Sequence, residues 1–409
     1  MGLIYNCLLV VLSPFVVLFT ALQARRRGGD RRFVKQRLGW PFDRPSDKAR
    51  VWFHAASVGE LMAIVPLLAA YANKESLLLT TNTPESARLA AKLLPTIRHR
   101  YCPVDFPWAV ASLIADSGIQ KLIVVETELW PNLFGACHQH GVRIAIINGR
   151  VSEKTVSANR FVRRLYRRLL ADVEVVWARS AEDAERFSAL GLAAHKLQVL
   201  GNIKFAVRPS TVLCPPLPGR DYVLAVSTHD DEEVQLADLW QRLEQPPLLV
   251  IIPRHPPRGA QIAHALRERG YDVALRSANE VVDDSTAFYI ADTLGEVAAF
   301  ACSALWCFIG GSLVPVGGHN MLELAAEGQA IISGPYLDNF KEEASFLQQR
   351  QALRVADDID ELSACVTLLM QDKHIREEQG ARARLAMAEA ADVLDSYIEV
   401  VDHFISTTV

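Results

Sequence analysis

The sequence predicts an α/β protein made of two Rossmann-like, doubly wound domains in tandem, preceded by an N-terminal membrane-anchor helix. Three observations predict it: short apolar runs alternate with helical patterns in both halves, a proline-rich stretch breaks that alternation near the middle, and no charged residue occurs from Leu3 to Ala24. At 409 residues the chain is long enough for two domains, each burying its own core.

The anchor comes first in the chain. The 22 uncharged residues from Leu3 to Ala24 span about 33 Å as a helix, enough for a bilayer core. Tyr5, Asn6, Ser13 and Pro14 interrupt its apolar character, and Pro14 is expected to kink it. No basic residue precedes the stretch and no small-residue cleavage site follows it, so a retained single-pass anchor is expected rather than a cleaved signal. Arg25, Arg26, Arg27, Arg31, Arg32, Lys35 and Arg37 follow immediately and place the body on the cytoplasmic side. The same cluster can hold anionic lipid head groups or the phosphates of a lipid substrate.

In the first domain, residues 25–205, strands are expected at Val51 to Ala56, Leu77 to Thr80, Lys121 to Val125, Arg143 to Ile147, Val175 to Ala178 and Gln198 to Leu200. Alternating βα units of this kind form a mostly parallel sheet covered on both faces. Thr83-Pro84 and Trp130-Pro131 suit helix starts, where proline loses nothing. Residues 206–221 carry Pro209, Pro215, Pro216, Pro218 and Gly219 and read as the linker. A second series fills residues 222–385, with strands at Tyr222 to Val226, Leu248 to Ile252, Val273 to Leu275, Ala287 to Ile290, Leu305 to Ile309 and Ala330 to Ser333. The long helical pattern from His374 to about Phe404 takes in residues 386–409, which are expected to pack back toward the first domain.

Candidate chemistry collects where strands stop, which is where open α/β sheets place ligands. After Val51 to Ala56 comes Ser57-Val58-Gly59-Glu60, delivering a glutamate to a helix's first turn. Glu60 there reads either as a general base for a hydroxyl or as the far end of a capping box with Ser57. Lys121 to Val125 runs into Glu126-Thr127-Glu128, two carboxylates that either face solvent or work on a ligand between the domains. Asn148-Gly149-Arg150 and Gly201-Asn202-Ile203-Lys204 end later strands, and Lys204 offers a cation.

The second domain suits a phosphorylated nucleotide. Ser227-Thr228-His229, Pro253-Arg254-His255 and Gly310-Gly311-Ser312 each follow a strand. Arg254 can pair with phosphate oxygens. Gly310 and Gly311 let backbone N–H groups approach an anion, with the start of a helix expected near Asn320 behind them and Glu323 placed for ribose hydroxyls.

Other classes find little support. Net charge is −4 with 22% charged residues, giving no bias toward nucleic acid. The seven cysteines show no CxxC spacing, so reduced thiols are expected, and the histidines form no metal-ligand pattern. No Walker A loop and no GxSxG occur. Asp358-Ile359-Asp360 sits before a helical pattern and reads as a cap rather than a metal-diphosphate clamp.

Taken together, His54-Ala55-Ala56-Ser57-Val58-Gly59-Glu60, Glu126-Thr127-Glu128-Leu129-Trp130-Pro131-Asn132, Gly201-Asn202-Ile203-Lys204-Phe205 and Gly317-Gly318-His319-Asn320-x-x-Glu323 resemble the 3-deoxy-D-manno-octulosonic acid (Kdo) transferases of Gram-negative bacteria. Pro253-Arg254-His255-Pro256 and Asp292-Thr293-Leu294-Gly295-Glu296 extend the match along nearly the whole chain. The resemblance implies a GT-B glycosyltransferase architecture, two Rossmann-like domains facing a cleft. The implied reaction is an inverting, metal-independent transfer of Kdo from CMP-Kdo to the lipid A precursor, lipid IVA, in lipopolysaccharide core biosynthesis, with no cofactor. It would take place at the inner membrane. Glu60 falls on the family's proton acceptor, and Glu126 and Lys204 on transition-state stabilisers. Pro253, Arg254, Leu294, Gly295, Glu296, Asn320, Met321, Leu322 and Glu323 fall on its CMP-binding segments, while Ser227, His255, Gly310 and Gly311 are further donor-site candidates from the strand-end reading. Departures from the family pattern are Met321 in place of a common proline, Leu294 in place of a frequent methionine, Pro315-Val316 in place of an acidic-basic pair, and the segment Gly334 to Phe340. Two other readings are a transferase for another nucleotide sugar and a membrane-tethered binding module; the latter gives no reason for Glu60, Glu126 and Lys204.

Overall fold

The computed structural model describes residues 2–40, 48–72, 76–207, 217 and 220–407. They fall into two compact units, one of residues 1–206 with 392–409 and the other of residues 207–391. Most of the proline-rich stretch read as the linker, 208–216 with 218 and 219, lies outside the described residues.

The first unit holds β1 (Val51–His54), β2 (Leu77–Thr81), β3 (Arg98–Tyr101), β4 (Lys121–Val125), β5 (Arg143–Gly149), β6 (Val175–Ala178) and β7 (Leu197–Val199). All neighbours are parallel, in the order β3-β2-β1-β4-β5-β6-β7. Pleating divides the central side chains between two cores: Trp52, Leu122 and Val124 join Phe134 and Phe187 on one face, and Val51, Phe53, Ile123 and Val125 join Leu67 and Tyr397 on the other. A sheet buried on both faces needs such unbroken apolar strands.

The second unit repeats the plan with β8 (Tyr222–Thr228), β9 (Leu248–Pro253), β10 (Val273–Leu275), β11 (Phe288–Ile290), β12 (Cys307–Ile309), β13 (Ile331–Ser333) and β14 (Leu353–Val355). Its order is β10-β11-β9-β8-β12-β13-β14, again parallel. Two edge strands, β3 and β14, were not expected from sequence. The helix Lys373–Ser406 contributes residues to both units, and Leu394, Tyr397, Val401 and Phe404 lie in the first unit's core.

The topological switch points follow from these orders. In the first unit the chain direction across the sheet reverses between β1 and β4, and in the second between β8 and β12. Crevices open at the carboxyl ends of such strand pairs. Asp358 accepts N–H bonds from Asp360 and Glu361 at 3.0 and 2.9 Å, so that acidic pair is a helix cap as expected. Among the described residues Cys7, Cys102, Cys137, Cys307 and Cys365 are free thiols.

Candidate active site

At the first switch point, β1 ends and Ser57 caps the helix Val58–Tyr71, its hydroxyl accepting the Glu60 N–H at 3.2 Å. The Glu60 carboxylate turns back, accepting the Ala56 N–H at 2.8 Å on Oε2 and the Ser57 hydroxyl at 2.9 Å on Oε1. The capping box therefore exists, closed on Ala56 rather than on the Ser57 N–H. It does not exhaust the carboxylate, whose two oxygens offer about four acceptor positions. Glu60 is only 9% exposed. Burial, opposed by those two hydrogen bonds and reinforced by the nearby charges of Glu126 and Glu128, pushes its pKa from 4.5 to about 7. A carboxylate tuned there accepts protons near neutrality.

Glu126 follows β4 with φ 59°, and Asn148 in β5 has φ 51°, both in the left-handed region that non-glycine residues seldom adopt. Lys204 Nζ stands 3.1 Å from Glu126 Oε1. The pair is an ion contact whose alignment falls short of a hydrogen bond, since Oε1 has no hydrogen-bond partner. Lys204 is held there by backbone: the Asn148 side-chain oxygen accepts the Ile203 N–H at 3.1 Å, and the Asn202 side chain accepts the Lys204 N–H at 3.1 Å. Asn148 is in turn fixed from the C-terminal helix. Its N–H donates to the Tyr397 hydroxyl at 3.1 Å, and that hydroxyl donates to Gly201 O at 3.1 Å. From sequence Asn148 reads only as a strand-end residue and Tyr397 carries no signal, because their contact joins places 249 residues apart.

Glu128 accepts the Trp130 indole N–H at 2.8 Å, and burial raises its pKa. Arg37 reaches the same strand ends, donating to Asn82 Oδ1 at 2.8 Å and Cys102 O at 2.6 Å. His54 is fully buried against Thr80 and pushed down to about 4 by burial, so it is neutral. The structure thus collects Glu60, Glu126, Glu128 and Lys204 at one end of one sheet.

At the second switch point, Gly310 N donates to Val226 O at 2.8 Å, and a Cβ on Gly310 would lie 2.6 Å from Ser227 O and Thr228 Cα. Only glycine fits between β8 and β12. Ser227 has φ 60°. The adjoining N–H groups already hold an anion belonging to the protein: the Glu232 carboxylate accepts from Gly311, Ser312 and Leu313 at 2.6, 2.9 and 2.9 Å, and from His229 at 2.8 Å. This corrects the expectation that the Gly311 N–H awaits a ligand.

Pro253 is buried as the last residue of β9, whereas Arg254 and His255 are exposed. Arg254 is fixed through its backbone, its N–H donating to Thr228 O at 3.0 Å. His229 and His319 stack in parallel with Nε2 atoms 2.8 Å apart, so one donates and the other accepts, and His255 lies edge-on 5.8 Å from His229. Burial, with the charges of His229, Arg254 and His255, pushes His319 down to about 4.

The helix behind this loop starts at Leu322, not Asn320, and has five residues, so its dipole is short. Asn320 Oδ1 accepts the Leu322 N–H at 3.1 Å. Met321 and Leu322 have buried side chains and can meet a ligand only through backbone. Glu323 keeps solvent contact while surrounding atoms desolvate its carboxyl and raise its pKa. Leu294 is 81% exposed and Gly295 has φ 86°. The Glu296 carboxylate is engaged by Arg276, with Nε 2.7 Å away, and by Thr293, and the Arg276 hydrogen bonds hold its pKa below the usual range. Among the described residues no group of three His, Cys, Asp or Glu is placed to hold a metal ion.

The family model described as 3-deoxy-D-manno-octulosonic-acid transferase (kdotransferase) matches residues 32–207. A 3-deoxy-D-manno-octulosonic acid transferase of Haemophilus influenzae is 30% identical over 97% of this chain and 98% of its own length. A probable mitochondrial enzyme of the same name from Arabidopsis thaliana is 31% identical over 91% of this chain and 89% of that protein. Among solved structures, Acinetobacter baumannii MurG superposes with TM-score 0.53 at 12% identity, over 85% of this chain and 99% of that one. A glycosyltransferase from Rickettsia africae does so with TM-score 0.54 at 10% identity, over 88% and 100%. These two show the shared GT-B fold. With this fold, and at this level of identity over nearly its whole length, the chain belongs to the Kdo transferase family of lipopolysaccharide biosynthesis.

Proposed function

We propose that the protein transfers Kdo from CMP-Kdo to the lipid A precursor, lipid IVA, with inversion and without a metal ion. The first unit would hold the acceptor and the second the donor. The observation that carries this reading is Glu60, a carboxylate at a switch point with its pKa near 7 and a Lys204–Glu126 pair beside it.

In the proposed step Glu60 takes the proton of an acceptor hydroxyl. The oxygen forms a bond to the anomeric carbon of Kdo, and the bond from that carbon to the cytidylate phosphate breaks, its electron pair leaving with CMP. Lys204 offsets charge near the reacting atoms, and the exposed Arg254 guanidinium binds the departing phosphate. Pro253, Asn320, Leu294 and Gly295 would frame the nucleotide, with backbone from Met321 and Leu322 and the carboxyl of Glu323. Ser227, His255 and Gly310 are further donor contacts.

Residues Tyr5–Arg27 form a helix long and apolar enough to cross a membrane, its most apolar 18 residues having mean hydropathy 2.3. With the basic residues that follow, it supports attachment to the cytoplasmic face of the inner membrane. Incubating the protein with labelled CMP-Kdo and lipid IVA, with and without a chelator, tests the reading. Label in the lipid, unaffected by chelation, is expected; label retained in CMP-Kdo contradicts it.

A further inference from the structure

The N-terminal helix Gly2–Arg27 is tied to the first unit at both of its ends. At one end the Tyr5 hydroxyl donates to Asp105 Oδ2 at 3.0 Å, and Asn6 Oδ1 accepts from Asn132 Nδ2 at 2.7 Å. Asp105 itself accepts the N–H groups of Asn132 and Leu133 at 2.9 and 2.8 Å, at the start of the helix that follows β4. At the other end Arg88 donates to Arg27 O at 3.3 Å and Gly28 O at 3.4 Å, and Thr20 and Ala24 are buried. Between the ends Leu9, Ser13 and Val16 are half-buried, so one helical stripe lies against the unit.

A helix crossing a bilayer would carry Tyr5 and Asn6 about 30 Å from a body at the other surface. Their partners Asp105 and Asn132 belong to the same folded unit as Arg88. The opposite stripe exposes Leu8, Val11, Leu12, Phe15, Leu18, Phe19 and Leu22.

A second observation points to the same face. Of the seven tryptophans, Trp52, Trp177, Trp240 and Trp306 are buried, and the three exposed ones sit beside the helix's contact points. Trp108 follows Asp105 by three residues and stacks on Phe106 with centroids 4.6 Å apart. Trp130 lies two residues before Asn132. Trp40 follows Gly39, where a Cβ would lie 2.1 Å from the Ala109 Cβ, so its backbone packs against the residue after Trp108. Indole rings exposed around an apolar stripe suit the boundary between acyl chains and head groups, and the cluster from Arg25 to Arg32 suits anionic head groups.

We propose that the helix Gly2–Arg27 lies in the plane of the membrane surface, and that its outer stripe with Trp40, Trp108 and Trp130 forms a one-sided, monotopic lipid-binding face instead of a single-pass anchor. The face is continuous with the strand end that bears Glu128, whose carboxylate holds Trp130. An acceptor's sugar could then be reached while its acyl chains stay in the bilayer.

The proposal rests on the membrane attachment read above, and the tests separate the two. Full-length protein carrying Gly2→Cys and Cys7→Ser is treated with a membrane-impermeant maleimide in intact spheroplasts and in inside-out vesicles, with labelling read at residue 2 by peptide mass spectrometry. No label in spheroplasts and full label in inside-out vesicles is expected; label in spheroplasts shows a crossing helix and overturns the proposal. Protein that never sediments with membranes overturns the attachment itself, and soluble protein that self-associates instead assigns the stripe to a second copy. Vesicles of phosphatidylethanolamine and phosphatidylglycerol with brominated acyl chains should quench wild-type fluorescence. The Trp40→Phe, Trp108→Phe, Trp130→Phe variant should lose most of that quenching, and undiminished quenching would remove the tryptophans from the face.

Discussion

Replacing Glu60 with glutamine separates the two jobs its position allows. The amide oxygen can still accept the Ala56 N–H, and the amide nitrogen can donate to Ser57 Oγ, so the box that spans 2.8 and 2.9 Å in the wild type survives. The proton acceptor does not. Burial raises the carboxyl from 4.5 to about 7 in the folded protein. The unfolded chain therefore loses this proton first, and as pH rises from about 4.5 to 7 the folded state is progressively disfavoured, with the full penalty present above 7. At 1.36 kcal/mol per unit that penalty is about 3 kcal/mol. Glutamine carries no such penalty. In urea unfolding, Glu60→Gln should match the wild type near pH 4.5 and exceed it by about 3 kcal/mol at pH 8.5. Its turnover should fall by about 10²–10⁴. Wild-type kcat/KM should rise about tenfold per pH unit below 7 and then level off. A fully active variant would mean that Glu60 only caps its helix. A stability difference that ignores pH would mean that its carboxyl is not raised.

The other predictions concern the groups around it. Lys204→Met removes the cation 3.1 Å from Glu126; kcat should fall with KM little changed, and a double-mutant cycle with Glu126→Gln should be non-additive by about 0.5–3 kcal/mol. Arg254→Ala should weaken CMP binding about 10- to 150-fold by calorimetry, the value of one hydrogen bond to a charged group; unchanged affinity removes it from the phosphate. Tyr397→Phe frees the Asn148 N–H and Gly201 O, and should destabilise the first unit by about 1–3 kcal/mol while lowering kcat through Lys204. Loss of stability with kcat intact would make this linkage purely structural.

Reading the sequence located what local pattern controls. Fully buried parallel strands such as β4 must be continuous apolar runs, and the carboxylates and glycines behind them mark strand ends. The edge strand β3 escaped because Arg98-His99-Arg100-Tyr101 is polar, only half-buried on most of its length, and has no apolar run. The seating of Lys204 through Asn148 and Tyr397 escaped because their hydrogen bond joins β5 to the C-terminal helix, a contact no spacing rule anticipates. Glu232 escaped for a related reason: three residues past His229 it reads as an ordinary acidic helix start, yet its carboxylate fills the turn after β12. The apolar N-terminal stretch was plain from composition, but its contacts through Tyr5 and Asn6 with Asp105 and Asn132 were not.

The central claim is that this protein moves Kdo from CMP-Kdo onto a lipid acceptor with Glu60 as base. Mass spectrometry of lipid IVA after incubation with excess CMP-Kdo tests it most directly. A product heavier by whole Kdo residues with the wild type, and unmodified lipid with Glu60→Gln, is the predicted result; an unmodified lipid with the folded wild type, or equal product from both, would contradict it.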